Sequence, residues 1–323
     1  MNEKLLQCFH DASGEYVSGE QLSRMLGVSR TAVWKRIKRL EEEGYIFDSS
    51  PRLGYRLIGI PERLDLVKLT GLLKDNPYAS DIRWYESIRS TQDAAHEALL
   101  LGAGEGTLIL AENQTGGRGR FGRAWHSPKG KGIYMSFLLQ PNLPLQQASH
   151  MTILLSVALC RSIRKVAQVN ATIKWPNDIL INGAKVCGIL VETFAEADRV
   201  KTMIAGIGIS VNFGQDDFPE ELRDLATSIL LSTGRSVSRE ALIAEYFEQF
   251  SALYELYKKD GFAPIRSLWI ALTSTLGGQV TVTTPQGVIR GKAEEITADG
   301  ALYVRDDNGE LHLLYSGDLK MNE

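Results

Sequence analysis

The stretch Asn113-Gln-Thr-Gly-Gly-Arg-Gly-Arg-Phe-Gly-Arg-Ala-Trp-His-Ser-Pro128 carries four glycines and three arginines between two β-like runs, Thr107 to Ala111 and Gly132 to Leu139. Glycine has no Cβ, so the backbone there can come close to a ligand. Arginine brings a rigid fork of donors that suits carboxylate and phosphate oxygens. So polar a segment is not ordered by its own packing, and it reads as a loop that closes over an anion. Gly117-x-Gly119-x-x-Gly122 matches the dinucleotide fingerprint, but that motif must open a helix. Pro128 and Gly130 argue against a helix here. No Gly-Lys-Ser/Thr follows, which excludes a Walker A loop. A plain solvated loop remains the alternative, and an arginine–glycine RNA-binding tail does not suit a mid-chain segment between strands.

Upstream, Ile82 to Glu86 reads as a strand running into Ser87-Ile-Arg-Ser-Thr-Gln92, and Asp93 to Leu101 as an Ala/Leu-rich helix. Ser90, Thr91 and Gln92 then sit at a strand-to-helix junction, where free amides and hydroxyls converge; simple capping would also explain them. Downstream, a helix from about Gln146 to Ala167 is apolar nearly all round, hence buried. Next comes Thr172-Ile-Lys-Trp-Pro-Asn-Asp-Ile-Leu-Ile-Asn-Gly-Ala-Lys-Val-Cys-Gly-Ile-Leu-Val-Glu192. Asn182-Gly183 between β-branched runs signals a type I′ hairpin, with Lys174 and Lys185 on its two sides. Asp178 as a turn aspartate and Lys185 as an edge-strand lysine are the alternatives. Met203 to Asn212 reads as a buried strand with glycines for close approach. Glu240 to Lys258 reads as an amphipathic helix, and the central domain ends near Leu276. From Gly278 to Lys320, four short runs (280–283, 288–294, 302–305 and 311–315) alternate with turns, the pattern of a small all-β barrel.

Residues 1–60 read as three helices and a hairpin. Leu5, Leu6 and Phe9 make one apolar face; Ser18 caps a helix that Gly27 stops. Ser29 caps a longer helix ending before Gly44, with Val33, Ile37 and Leu40 turned to the core. The span 30–39 holds Arg30, Lys35, Arg36, Lys38 and Arg39 and no acidic residue, and Thr31, Lys35 and Lys38 project opposite the apolar stripe. Tyr45 to Asp48 and Tyr55 to Ile58 flank a turn with Arg52 at its tip. A short turn before a cationic helix, followed by a hairpin wing, is the winged helix-turn-helix pattern. Residues 59–66 form a linker.

The 323 residues are enough for two or three domains. Hydrophobic content of 44% with 23% charged residues is that of an ordinary globular chain, and a net charge of -3 leaves nucleic-acid binding to a local patch. Cys8, Cys160 and Cys187 show no metal-ligand spacing and read as reduced thiols of a cytosolic protein. Glu3 and Lys4 before a short amphipathic run are not the start of a signal peptide. No run of eighteen apolar residues suggests a membrane span.

Taken together, these residues resemble the bifunctional bacterial biotin protein ligases that double as biotin operon repressors. The marks are Gly117-Arg-Gly-Arg120 with Trp125, then Lys174-Trp-Pro-Asn-Asp178, then Lys185-Val-Cys-Gly-Ile-Leu-Val-Glu192. The resemblance implies an α/β (α+β) chain in three parts: a winged helix (1–60) contacting operator DNA through Ser29, Arg30, Thr31, Lys35, Lys38 and Arg52; a biotin/lipoate-ligase-like catalytic domain (66–276); and an SH3-like β-barrel (277–323). It implies synthesis of biotinyl-5′-adenylate from biotin and ATP with Mg²⁺. Transfer to a lysine of the biotin carboxyl carrier protein of acetyl-CoA carboxylase, or of another biotin-dependent carboxylase, would follow. Lys185, Arg118 and Arg120 are the implied catalytic cations. Ser90, Thr91, Gln92, Gln114 and Gly119 join them around biotin, and Arg120, Trp125, Lys174, Asn177, Asp178 and Asn212 serve the adenylate, Asp178 also as a metal ligand through ATP. Gln92 departs from the asparagine of a well-studied member, and the Gly116-Gly117 pair is a second departure. A cytoplasmic homodimer without membrane contact is implied as well. A lipoate-type ligase and a ligand-sensing repressor without catalysis are the competing readings.

Overall fold

The computed structural model describes residues 2–12, 14–42, 45–59 and 63–322. Gly44, on which the stop of the third helix rested, and residues 60–62 of the expected linker lie outside the described residues. The chain forms two compact units, Met1–Leu72 and Leu73–Glu323.

The first unit contains α1 (Asn2–Asp11), α2 (Gly19–Leu26), α3 (Arg30–Glu42), the antiparallel hairpin β1 (Ile46–Ser50) and β2 (Gly54–Gly59), and α4 (Leu66–Leu72). Ser18 Oγ accepts from the Gln21 amide, and the Gln21 side chain returns to the Ser18 N–H, a capping box that fixes where α2 starts. Gly27 ends it in the left-handed region at φ 65°. Leu22, Val33, Ile37 and Leu40 close on Leu5, Leu6 and Phe9 to make the core. Leu66–Leu72, placed by sequence at the opening of the central domain, instead packs on α1, with Leu69 buried.

The second unit is built on an eight-stranded sheet. Its strands are β3 (Asp81–Tyr85), β4 (Thr107–Ala111), β5 (Ile133–Leu139), β6 (Leu143–Pro144), β7 (Ala171–Lys174), β8 (Asp178–Ile181), β9 (Ala184–Glu196) and β10 (Arg199–Ile209). The order is β3-β4-β5-β10-β9-β8-β7, with β6 beside β10; only β3 and β4 run parallel. Ser90 acts as N-cap, so α5 starts two residues earlier than the sequence suggested, at Thr91–Leu100. Helix α6 (Ala148–Ala167) is buried over most of its surface, against α8 (Arg239–Asp260) and α9 (Phe262–Leu272). Phe137 of β5 packs edge-on against Phe247 and Phe250 of α8. Asn182 and Gly183 both take positive φ, 51° and 83°, as a type I′ turn requires.

The sequence reading passed over α7 (Ile229–Thr233) and α9, whose short patterns lack strong boundary signals. The C-terminal part is a five-stranded antiparallel sheet of β11 (Gln279–Thr284), β12 (Gly287–Ile296), β13 (Leu302–Asp306), β14 (Leu311–Leu314) and β15 (Asp318–Met321), in the order β14-β13-β12-β11-β15. The four expected runs are strands, and β15 adds a fifth. No described helix is long and apolar enough to cross a membrane.

Candidate active site

The 113–128 stretch folds into a strap with bonds of its own. Gly119 N–H donates to Arg123 C=O at 2.7 Å and Trp125 N–H to Gly117 C=O at 2.9 Å, around a 3₁₀ turn at Arg120–Gly122. It lines a cleft of about 620 Å³ together with the start of α5, β8 to β10 and β15. The indole of Trp125 rests on two glycines that face each other across β9 and β10, Gly188 and Gly208. A Cβ on Gly208 would stand 2.3 Å from that ring and one on Gly188 3.0 Å from it. A side chain at Gly208 would displace the indole, and one at Gly188 would press it away by a few tenths of an ångström.

One end of the cleft is a chain of neutral hydrogen bonds. Thr91 N–H donates to Gln114 Oε1 at 2.9 Å, and the Thr91 and Ser136 hydroxyls lie 2.9 Å apart. Ser136 Oγ donates to Gln92 Oε1 at 2.9 Å, Gln92 Nε2 to Ile204 C=O at 3.1 Å, and Gln114 Nε2 to Ser127 Oγ at 3.1 Å. Gly206 leaves room for the longer amide: a Cβ there would lie 2.5 Å from Gln92 Oε1. Ser90 is buried and caps α5, so the capping role holds for it. Such a network fixes side-chain orientations in a low-dielectric pocket and suits a neutral polar ligand group.

The other end collects charge. Asp178 sits between two ammonium groups, Lys185 Nζ at 2.7 Å and Lys174 Nζ at 3.2 Å. Lys185 lies 5.4 Å from the centre of the Trp125 ring, and its backbone is pinned by Leu225 and Thr227 at 3.1 and 2.8 Å. Arg120 donates to Asn177 Oδ1 at 3.0 Å and to Gly317 C=O at 3.2 Å. Burial pulls the Arg120 pKa down, while the Asp178 and Asp318 carboxylates oppose that. Arg118 is held by Asp93 and, at 3.2 Å, by Glu192. Arg123 makes a two-pronged pair with Asp318 of β15, which holds that carboxyl below its ordinary range. Arg118 and Arg123 are matched by carboxylates of their own, whereas Lys174, Lys185 and Arg120 surround the single carboxylate of Asp178 and leave positive charge for an incoming anion.

The structure thus brings Ser90, Thr91, Gln92, Gln114, Arg118, Gly119, Arg120, Trp125, Lys174, Asn177, Asp178 and Lys185 to one cleft. Asn212 is not among its lining residues: its amide bonds reciprocally with Val237, each bond 3.0 Å. Sequence reasoning missed Asp93, Ser136, Glu192, Asp318 and the 213–226 segment, whose Phe213, Phe218, Leu222 and Ala226 cluster with Tyr134 and Trp125. Only the apolar spacing of Phe218, Leu222 and Leu225 could have signalled that segment.

In the first unit, Ser29 Oγ accepts from Ala32 N–H at 3.2 Å at the start of α3. Arg30, Thr31, Trp34, Lys35 and Lys38 are exposed on α3, and Arg52 is exposed at the hairpin tip. Glu41 reaches back to Lys38 at 2.7 Å and raises its pKa.

Residues 84–212 match the biotin/lipoate A/B protein ligase family, residues 2–56 an HTH domain, and residues 275–319 the biotin protein ligase C terminal domain. The bifunctional ligase/repressor BirA of Bacillus spizizenii is 41% identical over 321 residues, 99% of this chain and 98% of that protein. The chain belongs to the bifunctional biotin ligase/repressor family. The same family's Escherichia coli protein, also named bifunctional ligase/repressor BirA, is 29% identical over 92% of this chain and 90% of its own. Among solved structures, the biotin protein ligase from Aquifex aeolicus in complex with biotin and ATP is 28% identical. It aligns with a TM-score of 0.64 over 75% of this chain and 99% of that one.

Proposed function

We propose that this chain is an ATP-dependent biotin–protein ligase and, through its winged helix, a biotin-responsive repressor at operator DNA. One observation carries the enzymatic half: a polar hydrogen-bonded pocket and a cluster of Arg120, Lys174 and Lys185 open into the same cleft. That pairing suits a neutral ureido ring at one end and a carboxylate meeting a triphosphate at the other. Attack of a biotin carboxylate oxygen on the α-phosphorus forms one P–O bond and breaks another, releasing pyrophosphate. The ε-amine of a carrier lysine then attacks the acyl carbon, the C–O bond to AMP breaks, and the amine proton is lost. Both steps gather negative charge, so fixed cations lower the barrier where water is excluded; the remainder is positioning.

Thr91, Gln92, Gln114, Ser90 and Gly119 belong to the biotin end in this reading. Lys185, Arg118 and Arg120 lie where carboxylate and phosphate meet. Trp125, Lys174, Asn177 and Asp178 face the nucleotide. Asn212, between cleft-lining Ser210 and Phe213, supports that wall through Val237. Mg²⁺ bound with ATP would supply further neutralisation of the phosphate charge at this end of the cleft. Asp178 is already engaged by two ammonium groups, a poor start for a resident metal ligand. Carrier protein, operator DNA and a second copy of the chain are the partners, since one winged helix reads one half-site. The roles are divided between a DNA-binding part over 1–60, a catalytic part within 66–276 and a C-terminal sheet over 277–323, with the helix at 66–72 packed into the first unit. The buried free thiols of Cys8, Cys160 and Cys187 suit the reducing cytoplasm.

Exchange of labelled pyrophosphate into ATP tests the reading. It should require biotin and ignore lipoate. Exchange with lipoate would favour a lipoate-type ligase, and no exchange despite biotin-dependent operator binding would leave a sensing repressor.

A further inference from the structure

Beneath the strap, away from the cleft lining, lies the salt bridge with both side chains most buried among those described. Glu112 follows β4 directly, and its carboxylate is fully buried. Arg239, first residue of α8, is 6% exposed; the closest approach is 2.7 Å, from Arg239 Nη1 to Glu112 Oε2, and Nη2 lies 3.4 Å from Oε1. The same Nη1 donates to Gly132 C=O at 3.1 Å, and Gly130 N–H donates to Glu112 C=O at 3.3 Å. One guanidinium therefore ties residue 112, where the strap leaves the sheet, to residue 132, where it returns.

Stability alone does not account for this arrangement. Burying an ion pair costs desolvation that a well-packed apolar pair would avoid. A cation at the first position of a 22-residue helix also meets the positive end of the helix dipole. What the fork provides is geometry: three oxygens, from both limbs of the strap, converge on one planar group.

We propose that Arg239, with Glu112, is a positioning residue that sets the strap, and through it Arg118, Arg120 and Trp125, over the bound adenylate; this rests on the ligase reading above. Misplacing reacting groups by about 1 Å from a distant site can cost on the order of a hundredfold in rate.

The test uses the full chain and two variants. Glu112→Leu/Arg239→Met replaces the pair by apolar side chains and leaves no charge stranded; Arg239→Lys keeps a charge but loses the fork. Three quantities are measured: thermal stability, tryptic cleavage after Arg118, Arg120 and Arg123 without ligands, and the release rate of preformed biotinyl adenylate. The double variant should melt close to wild type, yet be cut and release adenylate about tenfold faster or more, with KM for ATP rising more than kcat falls. Arg239→Lys should fall between. Wild-type cleavage or wild-type release in the folded double variant overturns the proposal, and if that variant does not fold, Arg239→Lys decides by the same two readouts. Cleavage requires no ligand, so a wild-type chain that makes no adenylate counts against the ligase reading, while the cleavage comparison still judges the clamp.

Discussion

Trp125 shows how one side chain depends on what its neighbours lack. Its ring lies against backbone because positions 188 and 208 carry no Cβ, and its burial there joins Lys185 to the Phe213–Phe218 cluster. Gly208→Ala puts a methyl 2.3 Å from the indole, so the ring must leave. Its emission should then shift to the red, and adenylate should be held more weakly by about tenfold or more, on the scale of a lost aromatic anchor. A fluorescence comparison with the same substitution in a Trp125→Phe background checks the assignment, because that background should show no shift. The sequence could show that Trp125 mattered and that glycines were dense in β10. It could not show which glycine lay under the ring, since that depends on pairing between strands.

At the scale of elements, α6 carries a titratable device at its start. His150 is 4% exposed and stacks on Phe262 of α9 at 3.9 Å. It meets the Tyr257 hydroxyl of α8 and the Ala298 carbonyl, each at 3.0 Å, with Asp299 the nearby charge. Burial lowers its pKa from the ordinary 6.5, against the Ala298 bond and Asp299. The folded chain therefore binds fewer protons here than the unfolded one. The stability from neutral His150 is fully present above pH 6.5 and is lost as pH falls from there toward the lower folded value. Urea midpoints at pH 7.5 and 5.5 should differ, by at most about 1.4 kcal/mol per pH unit from this one group. A His150→Gln chain should lose that share of the difference, and an undiminished difference would show that other groups cause it.

Helix α3 supports a prediction of a different kind. Lys35 and Lys38 are exposed on the face opposite its buried stripe, although Glu41 offsets part of the Lys38 charge. Lys35→Ala/Lys38→Ala should abolish operator binding in the presence of biotin and ATP. Any residual binding should depend less on salt, by about 0.9 in the log–log slope for each phosphate no longer neutralised. Biotin-dependent pyrophosphate exchange should stay near wild type. Loss of exchange instead would tie this face to the chemistry. The apolar stripe of α3, its cap and the wing were all legible in the sequence because each is a local pattern. Asp93, Glu192 and Asp318, which hold the strap's arginines, were not, because partners 25, 74 and 195 residues away leave no local trace.

For the whole molecule, the division falls after Leu72 rather than before Leu66. Leu69 is fully buried with the first unit, so a chain begun at residue 61 carries α4 without its cover. A chain begun at residue 73 should remain monodisperse by size exclusion and retain pyrophosphate exchange, whereas one begun at residue 61 should aggregate more. Equal behaviour of the two would mean that α4 needs no partner. The sequence reading put a domain start at residue 66 and no helix there, because seven residues carry too short a pattern to show which neighbour α4 covers.

The seat of Trp125 has a last consequence, for length rather than identity. Gly188 and Gly208 meet because β9 and β10 are counted out from their turn near Ala197 and Asp198, and the two glycines form the ninth pair, across one irregularity between Val200 and Thr202. A strand shifted by one residue presents its other face, and the neighbours of both glycines are larger: Cys187 and Ile189 on one strand, Ile207 and Ile209 on the other. The hairpin therefore works as a ruler whose zero mark is a remote surface turn. Adding or removing a single residue there would reach the catalytic cleft even though every residue lining it stayed the same.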